Sequence, residues 1–475
     1  MRIFFFGWDH LKDDHAAIAS KLQRSGHEIL YWTTPSDETK IDIARFSSII
    51  FHNIVEASWG KGAPRIDATN FEAPSKNLIE QMRNTEALVL TMMNKRFDWM
   101  CADERRHLYY NLLQYWQGVL KKYAPDIIIF INIPHTVYDY VVYEMAKRAN
   151  IKTIMFDDIL ISDRLLLIND FRQGGKYLVD YDYSQNYVAE DLSEDLKSYY
   201  KKQTDSSVDS TPGYVKQDFK QNTLRNNFLK KAKAVKQGIE DRSIFRKTYE
   251  YFLKLFGDNL MKDYQNLQEI PDLNKKFVYI PLNYQPECTS SPMADVFADQ
   301  ILMIETVASS IPNDWIIYVK EHPIQWLARG LNYYSSRYKG YYKKIASIPR
   351  VKIIPVKTNN YELIGASLVV VTATGTTALE AVLRSKPAVV FGYPWYQNCP
   401  SLLRAHDTRS CREAIDKVVQ GLSISQQEVI NFIKALEKNT IKGYLSSYSE
   451  SNSQLSWREN ADNISEVLLR EIGGI

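Results

Sequence analysis

Four threonines surround a glycine in Thr372-Ala-Thr-Gly-Thr-Thr377, and Glu380 follows three residues later. Hydroxyls and unpaired backbone N–H groups at a turn that feeds a helix make an anion site, because the helix dipole adds positive partial charge there. Thr374, Gly375, Thr376 and Thr377 are thus expected to contact a phosphate, and Glu380 to accept hydrogen bonds from sugar hydroxyls beside it. That pairing points to a nucleotide-sugar site. A second candidate is Val319-Lys-Glu-His-Pro323, where His322 stands at a strand end and Pro323 restrains it. A histidine so placed can donate to a phosphate or carboxylate, and Lys320 and Pro323 are grouped with it as donor-binding residues. The third is Glu287, in the proline-rich stretch Tyr279-Ile-Pro-Leu-Asn-Tyr-Gln-Pro-Glu-Cys-Thr-Ser-Ser-Pro292. A carboxylate on such a loop can be a nucleophile, a general base or a hydroxyl clamp. The competing reading is a surface turn.

The first half carries a second set. Asn132-Ile-Pro-His-Thr136 closes an apolar strand, Asp157-Asp158 closes the next, and Gly7-Trp-Asp-His10 closes the first of all. Asp157 or Asp158 could serve as general base on an acceptor hydroxyl. Trp8, Asp9, His10 and His135 could line an acceptor site. For each of these, plain local structure is the alternative.

These residues need strand ends to stand on. In the first half, strands are expected over 3–6, 28–32, 48–51, 125–131 and 152–156, with helices over 14–25, 76–92, 104–123 and 138–149 and a loop-like stretch over 53–75. In the second half, strands over 277–282, 315–320, 351–355, 368–371 and 388–391 alternate with helices over 294–310, 360–366 and 378–383. This β-α rhythm predicts two Rossmann-like, doubly wound α/β domains, where ligands sit at the carboxyl ends of strands. The expected organisation is an N-terminal domain over 1–212, a basic helical insertion over 213–270, a nucleotide-sugar domain over 271–440, and a tail with a last helix over 441–475. Residues 185–212 read as a polar linker, and 460–472 as the last amphipathic helix.

Composition sets bounds. A chain of 475 residues calls for two cores rather than one. A net charge of +3 makes no case for nucleic-acid binding. The 31 tyrosines and 9 tryptophans suit carbohydrate contact, but equally suit cores and interfaces. Cys101, Cys288, Cys399 and Cys411 lack metal-ligand spacing and read as reduced thiols. No apolar run approaches the roughly 20 residues that span a bilayer, and residues 1–7 lack the features of a signal peptide. The expected location is the cytoplasm. The lysine- and arginine-rich stretch 215–264 reads either as a solvated helical hairpin or as a surface meeting anionic lipid head groups or an anionic glycan at the inner face of the membrane.

In their order, the Glu287 loop, His322-Pro323, and Thr374-Gly375-Thr376 with Glu380, followed by Phe391-Gly-Tyr-Pro-Trp-Tyr396, resemble the capsule polysaccharide biosynthesis glycosyltransferases, including retaining 3-deoxy-manno-octulosonic acid (Kdo) transferases of the GT-B fold. The resemblance covers residues 277–396. It implies a nucleotide-sugar donor, with a CMP-activated acidic sugar favoured, and no cofactor beyond that donor. It also implies that His322 meets the donor's phosphate or carboxylate, that Glu380 and the Thr/Gly turn hold ribose and phosphate, and that Glu287 falls where such transferases carry a nucleophilic acid. That acid is usually Asp after Gly, whereas here Glu287 follows Pro286. The implied partner is a glycan or lipid-linked acceptor. No metal is expected, since no Asp-x-Asp triplet sits in a strand-end loop. Rival readings are a nucleotide-sugar 2-epimerase, a teichoic-acid-type polyol-phosphate transferase, and a glycan-binding scaffold.

Overall fold

A computed structural model describes residues 1–36, 46–159, 161, 163–205, 260–285, 287–326 and 337–473. The chain divides into two compact units, Met1–Lys197 with Asn431–Ile475, and Ser198–Ile430. Unit 1 contains β1 (Arg2–Phe6), β2 (Glu28–Thr34), β3 (Ile50–Asn53), β4 (Ile127–Phe130), β5 (Lys152–Asp158) and β6 (Arg164–Ile168). Unit 2 contains β7 (Phe277–Pro281), β8 (Ile316–Lys320), β9 (Val351–Ile353), β10 (Val369–Thr372), β11 (Ala388–Val390) and β12 (Leu403–Arg404). The chain then returns to unit 1 as β13 (Ile441–Lys442).

The unit 2 sheet has the order β12-β11-β10-β7-β8-β9, and all of its pairings are parallel. The order reverses between β7 and β10, which makes their carboxyl ends the topological switch point. Alternation along the strands builds the core. Val278 and Ile280 of β7, Ile317 and Val319 of β8, and Val369 and Val371 of β10 pack with Ile301, Ile304 and Val307 of the helix Gln300–Ala308. Each such burial contributes roughly 1.5–3 kcal/mol. Tyr279, opposite Tyr318 in register, points to the other face.

Unit 1 is doubly wound in the same sense, with β3-β2-β1-β4-β5 parallel and its switch point between β1 and β4. Two features were not expected. β6 pairs antiparallel with β5, and β13 pairs antiparallel with β6, so the C-terminal segment completes this sheet. The last helix, Trp457–Gly473, packs on the first, Asp13–Arg24, where the Asn460 amide donates to Asp14 Oδ2 at 2.8 Å.

Other local differences have plain causes. The loop-like stretch 53–75 opens with a helix, Ile54–Ser58, capped by the Asn53 side chain accepting from Val55 N–H. The polar linker 185–212 contains the helix Glu194–Thr204, with Glu194 and Asp195 in its first turn and Lys201 and Lys202 in its last, as the helix dipole favours. The expected helix 294–310 starts only at Gln300, because Asp299 caps it by accepting from Ile301 and Leu302 N–H, and a 3₁₀ turn, Asp295–Ala298, precedes it. The helix expected over 76–92 is broken at Met82 into Lys76–Gln81 and Arg83–Met92. The basic stretch 215–264 lies outside the described residues except for its last five, which belong to the helix Leu260–Asn266. Among the described residues no helix is long and apolar enough to cross a membrane.

Candidate active site

Three loops meet at the carboxyl end of the unit 2 sheet, and Asn283 joins two of them. It sits two residues past β7. Its Nδ2 donates to Thr374 Oγ1 at 2.8 Å, and its Oδ1 accepts from Thr372 Oγ1 at 3.2 Å. Thr372 Oγ1 also accepts from Gly375 N–H at 3.1 Å, and Thr374 donates to the Thr289 carbonyl. Gln300 holds the Asn283 backbone from both sides, accepting its N–H at 2.6 Å and donating to its carbonyl at 3.0 Å. The β8 loop is tied in by a reciprocal pair. Gln285 N–H donates to Gln325 Oε1 at 3.1 Å, and Gln325 Nε2 donates to the Gln285 carbonyl at 3.0 Å. The Tyr284 and His322 rings then lie 5.7 Å apart between these loops.

Glycine is required at one point here. A Cβ on Gly392, just past β11, would lie 2.5 Å from the Met293 carbonyl oxygen and 2.7 Å from Thr374 Cγ2. The β11 loop can therefore approach the Met293–Ala294 backbone only without a side chain.

Within the Thr/Gly turn, Thr374 is buried and committed to internal bonds, while Thr376 is exposed and Gly375 and Thr377 are partly so. Thr374 therefore shapes the turn, and the groups facing outward are the next three residues. Glu380, only 6% exposed, sits below them and accepts from Thr376 Oγ1 at 3.3 Å. Burial holds its carboxyl above the usual range, against the pull of Arg384, Thr376 and Lys320. Tyr279 and Tyr396 line the same buried space, their phenols pushed up by burial and then by Glu380.

Lys320 is placed differently from its donor-binding assignment. Its ammonium donates to the Thr358 carbonyl at 2.6 Å and to Asn360 Oδ1, which also accepts from Tyr279 Oη at 2.8 Å. Burial pulls its pKa down to about 8, with Glu380 opposing. In this arrangement Lys320 braces the underside of the site. Glu287 and His322 are both partly exposed. The Glu287 carbonyl accepts from Ser290 and Ser291 N–H at 3.0 Å, which closes a tight turn around it.

In unit 1, two of the proposed acceptor residues are turned inward. Trp8 is 0% exposed, donates from Nε1 to the Ile129 carbonyl at 3.1 Å, and stacks on Phe5, so its indole is core and offers no face to an acceptor. His10 is buried, with Nδ1 2.9 Å from Thr34 Oγ1. Asp9 remains half-buried and accepts from Ser36 Oγ at 2.6 Å, and His135 Nδ1 lies 2.7 Å from the Ile133 carbonyl. Asp157 and Asp158 end β5 beyond the level of β4. Burial, and then the neighbouring Asp158, push Asp157 up to about 7, near where a general base works best. Asp158 accepts from Ser446 Oγ at 2.8 Å. Among the described residues no cluster of three or more His, Cys, Asp or Glu side chains could hold a metal ion.

Sequence reasoning missed Asn283, Asn360, Glu321 and Arg337. Asn283 carried a signal, since it is the polar residue that ends an apolar run, and Glu321 sits in the polar Lys-Glu-His segment that follows another. Arg337 carried none, because only the fold brings it to these loops.

Residues 289–413 match the family model described as "Capsule polysaccharide biosynthesis protein", which overlaps the resemblance read over 277–396. The likeness to that family therefore holds over this part of unit 2. No curated protein matches the chain. Among solved structures, the beta Kdo 2,7 transferase of Thermosulfurimonas dismutans KpsC is 12% identical, covering 74% of this chain and 89% of its own, with a TM-score of 0.32. The UDP-GlcNAc 2-epimerase of Methanocaldococcus jannaschii is 10% identical, covering 92% and 99%, with a TM-score of 0.24. The Neisseria meningitidis UDP-GlcNAc 2-epimerase, solved bound to UDP-GlcNAc, is 11% identical, covering 100% of both chains, with a TM-score of 0.22.

Proposed function

We propose that this chain, similar over residues 289–413 to capsule polysaccharide biosynthesis proteins, is a glycosyltransferase that moves a sugar from a nucleotide donor to a growing surface glycan or lipid-linked acceptor. The observation that carries the reading is the convergence of the β7, β8 and β10 loops at the switch point of the unit 2 sheet. In this reading the backbone N–H groups of Thr376 and Thr377 and the Thr377 hydroxyl donate to phosphate oxygens. Gly375, whose N–H is given to Thr372 Oγ1, lets the phosphate approach the turn closely, and Glu380 receives ribose hydroxyls. His322 donates to the phosphate or to a sugar carboxylate, and Pro323 limits its backbone. Charge leaving with the nucleotide is then met by donors already in place, which is where such sites gain most of their rate. Glu287 is the carboxylate on the sugar side, at the place where the resembled transferases carry their nucleophile. In unit 1, Asp157 or Asp158 takes the proton of the acceptor hydroxyl. A CMP-activated acidic sugar is the favoured donor, from the resemblance to Kdo transferases.

A thermal-shift series with CMP, UDP, GDP and CDP tests this, because a ligand that binds only the native state raises its melting temperature. A shift with CMP and none with the others is expected. A shift with UDP alone, together with conversion of a UDP-sugar in the absence of acceptor, would turn the assignment to a 2-epimerase. A shift with CDP alone points to a polyol-phosphate transferase, and no shift with any nucleotide to a scaffold.

A further inference from the structure

Beneath the three loops lies an ion pair that none of the chemistry above uses. The side chains of Arg337 and Glu321 are both 0% exposed. Arg337 Nε donates to Glu321 Oε2 at 2.9 Å, and one Nη donates to Oε1 at 3.0 Å, a bidentate fork. The same carboxylate accepts from His322 N–H at 2.7 Å and from Tyr342 Oη at 2.5 Å. The guanidinium also donates to the Asn283 carbonyl at 3.1 Å and to the Gln285 side-chain oxygen, and its plane lies 4.7 Å from the Tyr341 ring centre. Backbone N–H of Glu321 is held by Tyr264 Oη at 3.0 Å.

Burying two charges costs desolvation that their attraction only partly returns, so such a pair is weak evidence for stability and better evidence for a fixed geometry. Here the geometry is specific. One end grips the residue before Pro323, His322, and the other grips Asn283, the residue that holds the Thr372–Gly375 turn.

We infer that Arg337 and Glu321 are positioning residues that set His322 and Asn283 relative to each other, without themselves touching the donor. The inference rests on the donor site assigned to unit 2. A network with every acceptor filled also rigidifies what it touches, so loosening it frees both loops at once.

The test uses the full chain carrying Glu321→Gln with Arg337→Met, which removes both charges together and keeps the volume. The imidazole NMR signal of His322, assigned by its loss in His322→Gln, is read without ligand. In the double variant it is expected to broaden or split, and affinity for whichever nucleotide shifts the wild type is expected to fall at least tenfold. An unchanged His322 signal with unchanged affinity, whatever happens to the melting temperature, would overturn the positioning role. A wild type that binds no nucleotide sinks the donor-site reading instead, and the His322 signal still decides the positioning claim. If the double variant does not fold, Arg337→Lys, which keeps the charge but loses the fork, is read in the same way.

Discussion

In unit 1 the loop after β1 folds back into its own sheet, whereas in unit 2 the loop after β7 reaches across to its neighbours. Gly7, at φ +81°, turns the chain so that its N–H meets the Thr33 hydroxyl at 2.8 Å. Trp8 drops into the core, and its carbonyl accepts from Trp32 Nε1 at 2.7 Å. Tyr138 Oη closes on Thr33 Oγ1 at 3.0 Å. The switch point between β1 and β4 is thus filled with the protein's own aromatic and hydroxyl groups. Between β7 and β10 the corresponding positions hold Asn283 and the Thr/Gly turn, and these leave Gly375, Thr376 and Thr377 facing outward. Strand order is shared by the two sheets. What the first few residues past each strand do with their hydrogen bonds decides which end stays open to a ligand.

The sharpest way to break this contrast is Glu287→Gln. Transfer is expected to fall roughly 10²–10⁴-fold, the range for losing an acid or base in the reaction, while nucleotide affinity stays within about twofold, since the change keeps size and polarity. Steady-state turnover with titration of the nucleotide checks both. Wild-type turnover would remove Glu287 from the chemistry.

Next in size is Trp8→Ala. If Trp8 is core, the variant loses about 3–5 kcal/mol of stability by chemical denaturation. If it lined an acceptor site, stability would hardly change and the acceptor KM would rise. The matching probe in unit 2, Thr376→Ala, is expected to cost no more than about 1 kcal/mol, since Thr376 is exposed and, although it is the N-cap of the helix Thr377–Leu383, makes no side-chain capping hydrogen bond.

His322→Ala, compared with His135→Ala, asks which unit holds the nucleotide. Loss of a hydrogen bond to a charged group is worth about 1.5–3 kcal/mol, so His322→Ala is expected to raise the nucleotide Kd roughly 10–150-fold. His135→Ala is expected to leave it unchanged. Calorimetric titration of both variants reads the outcome, and the reverse pattern would move the donor to unit 1.

Much of this contrast is legible in the amino-acid sequence. Apolar runs with β-branched residues locate the parallel strands of both sheets to within a few residues, because buried strands need little else, except β12, whose two residues, Leu403 and Arg404, form no apolar run. The Thr/Gly turn and the Lys-Glu-His-Pro segment stand out because polar residues at strand ends break a strong apolar pattern. Trp8 and His10 mislead for a physical reason. A strand end can be sealed by its own side chains, and residue type alone does not separate an open loop from a sealed one. β6 and β13 escape notice because neither follows the β-α rhythm. β6 is a hairpin return immediately after β5, and β13 is two residues long, held by pairing with Leu165 and Arg164. The hydrogen-bond partners of Arg337 lie 16 to 54 residues away, beyond any local pattern.

The smallest effects separate the units by pH. Asp157 rises from its ordinary 3.8 to about 7 because burial disfavours its charge. Between these values the folded state holds a proton that the unfolded state has released. Its contribution to stability is therefore complete below about pH 4 and is lost as pH rises through 7. Lys320 moves the other way, from 10.5 down to about 8, again through burial. Between 8 and 10.5 the unfolded state binds the proton that the folded state has shed, so stability rises with pH across that window. Asp157→Asn should accordingly make the slope of melting temperature against pH more positive between pH 4 and 7, where His15 and His52, lowered by burial, act in the opposite sense to Asp157, and leave the alkaline limb alone. Lys320→Met should make the slope more negative between pH 8 and 10.5, where Cys399 and Cys411, raised by burial, act in the opposite sense to Lys320, and leave the acid limb alone. Melting curves recorded across pH 4 to 10.5 on both variants give the two slopes separately. A single variant that altered both limbs would mean that the two groups share one electrostatic environment.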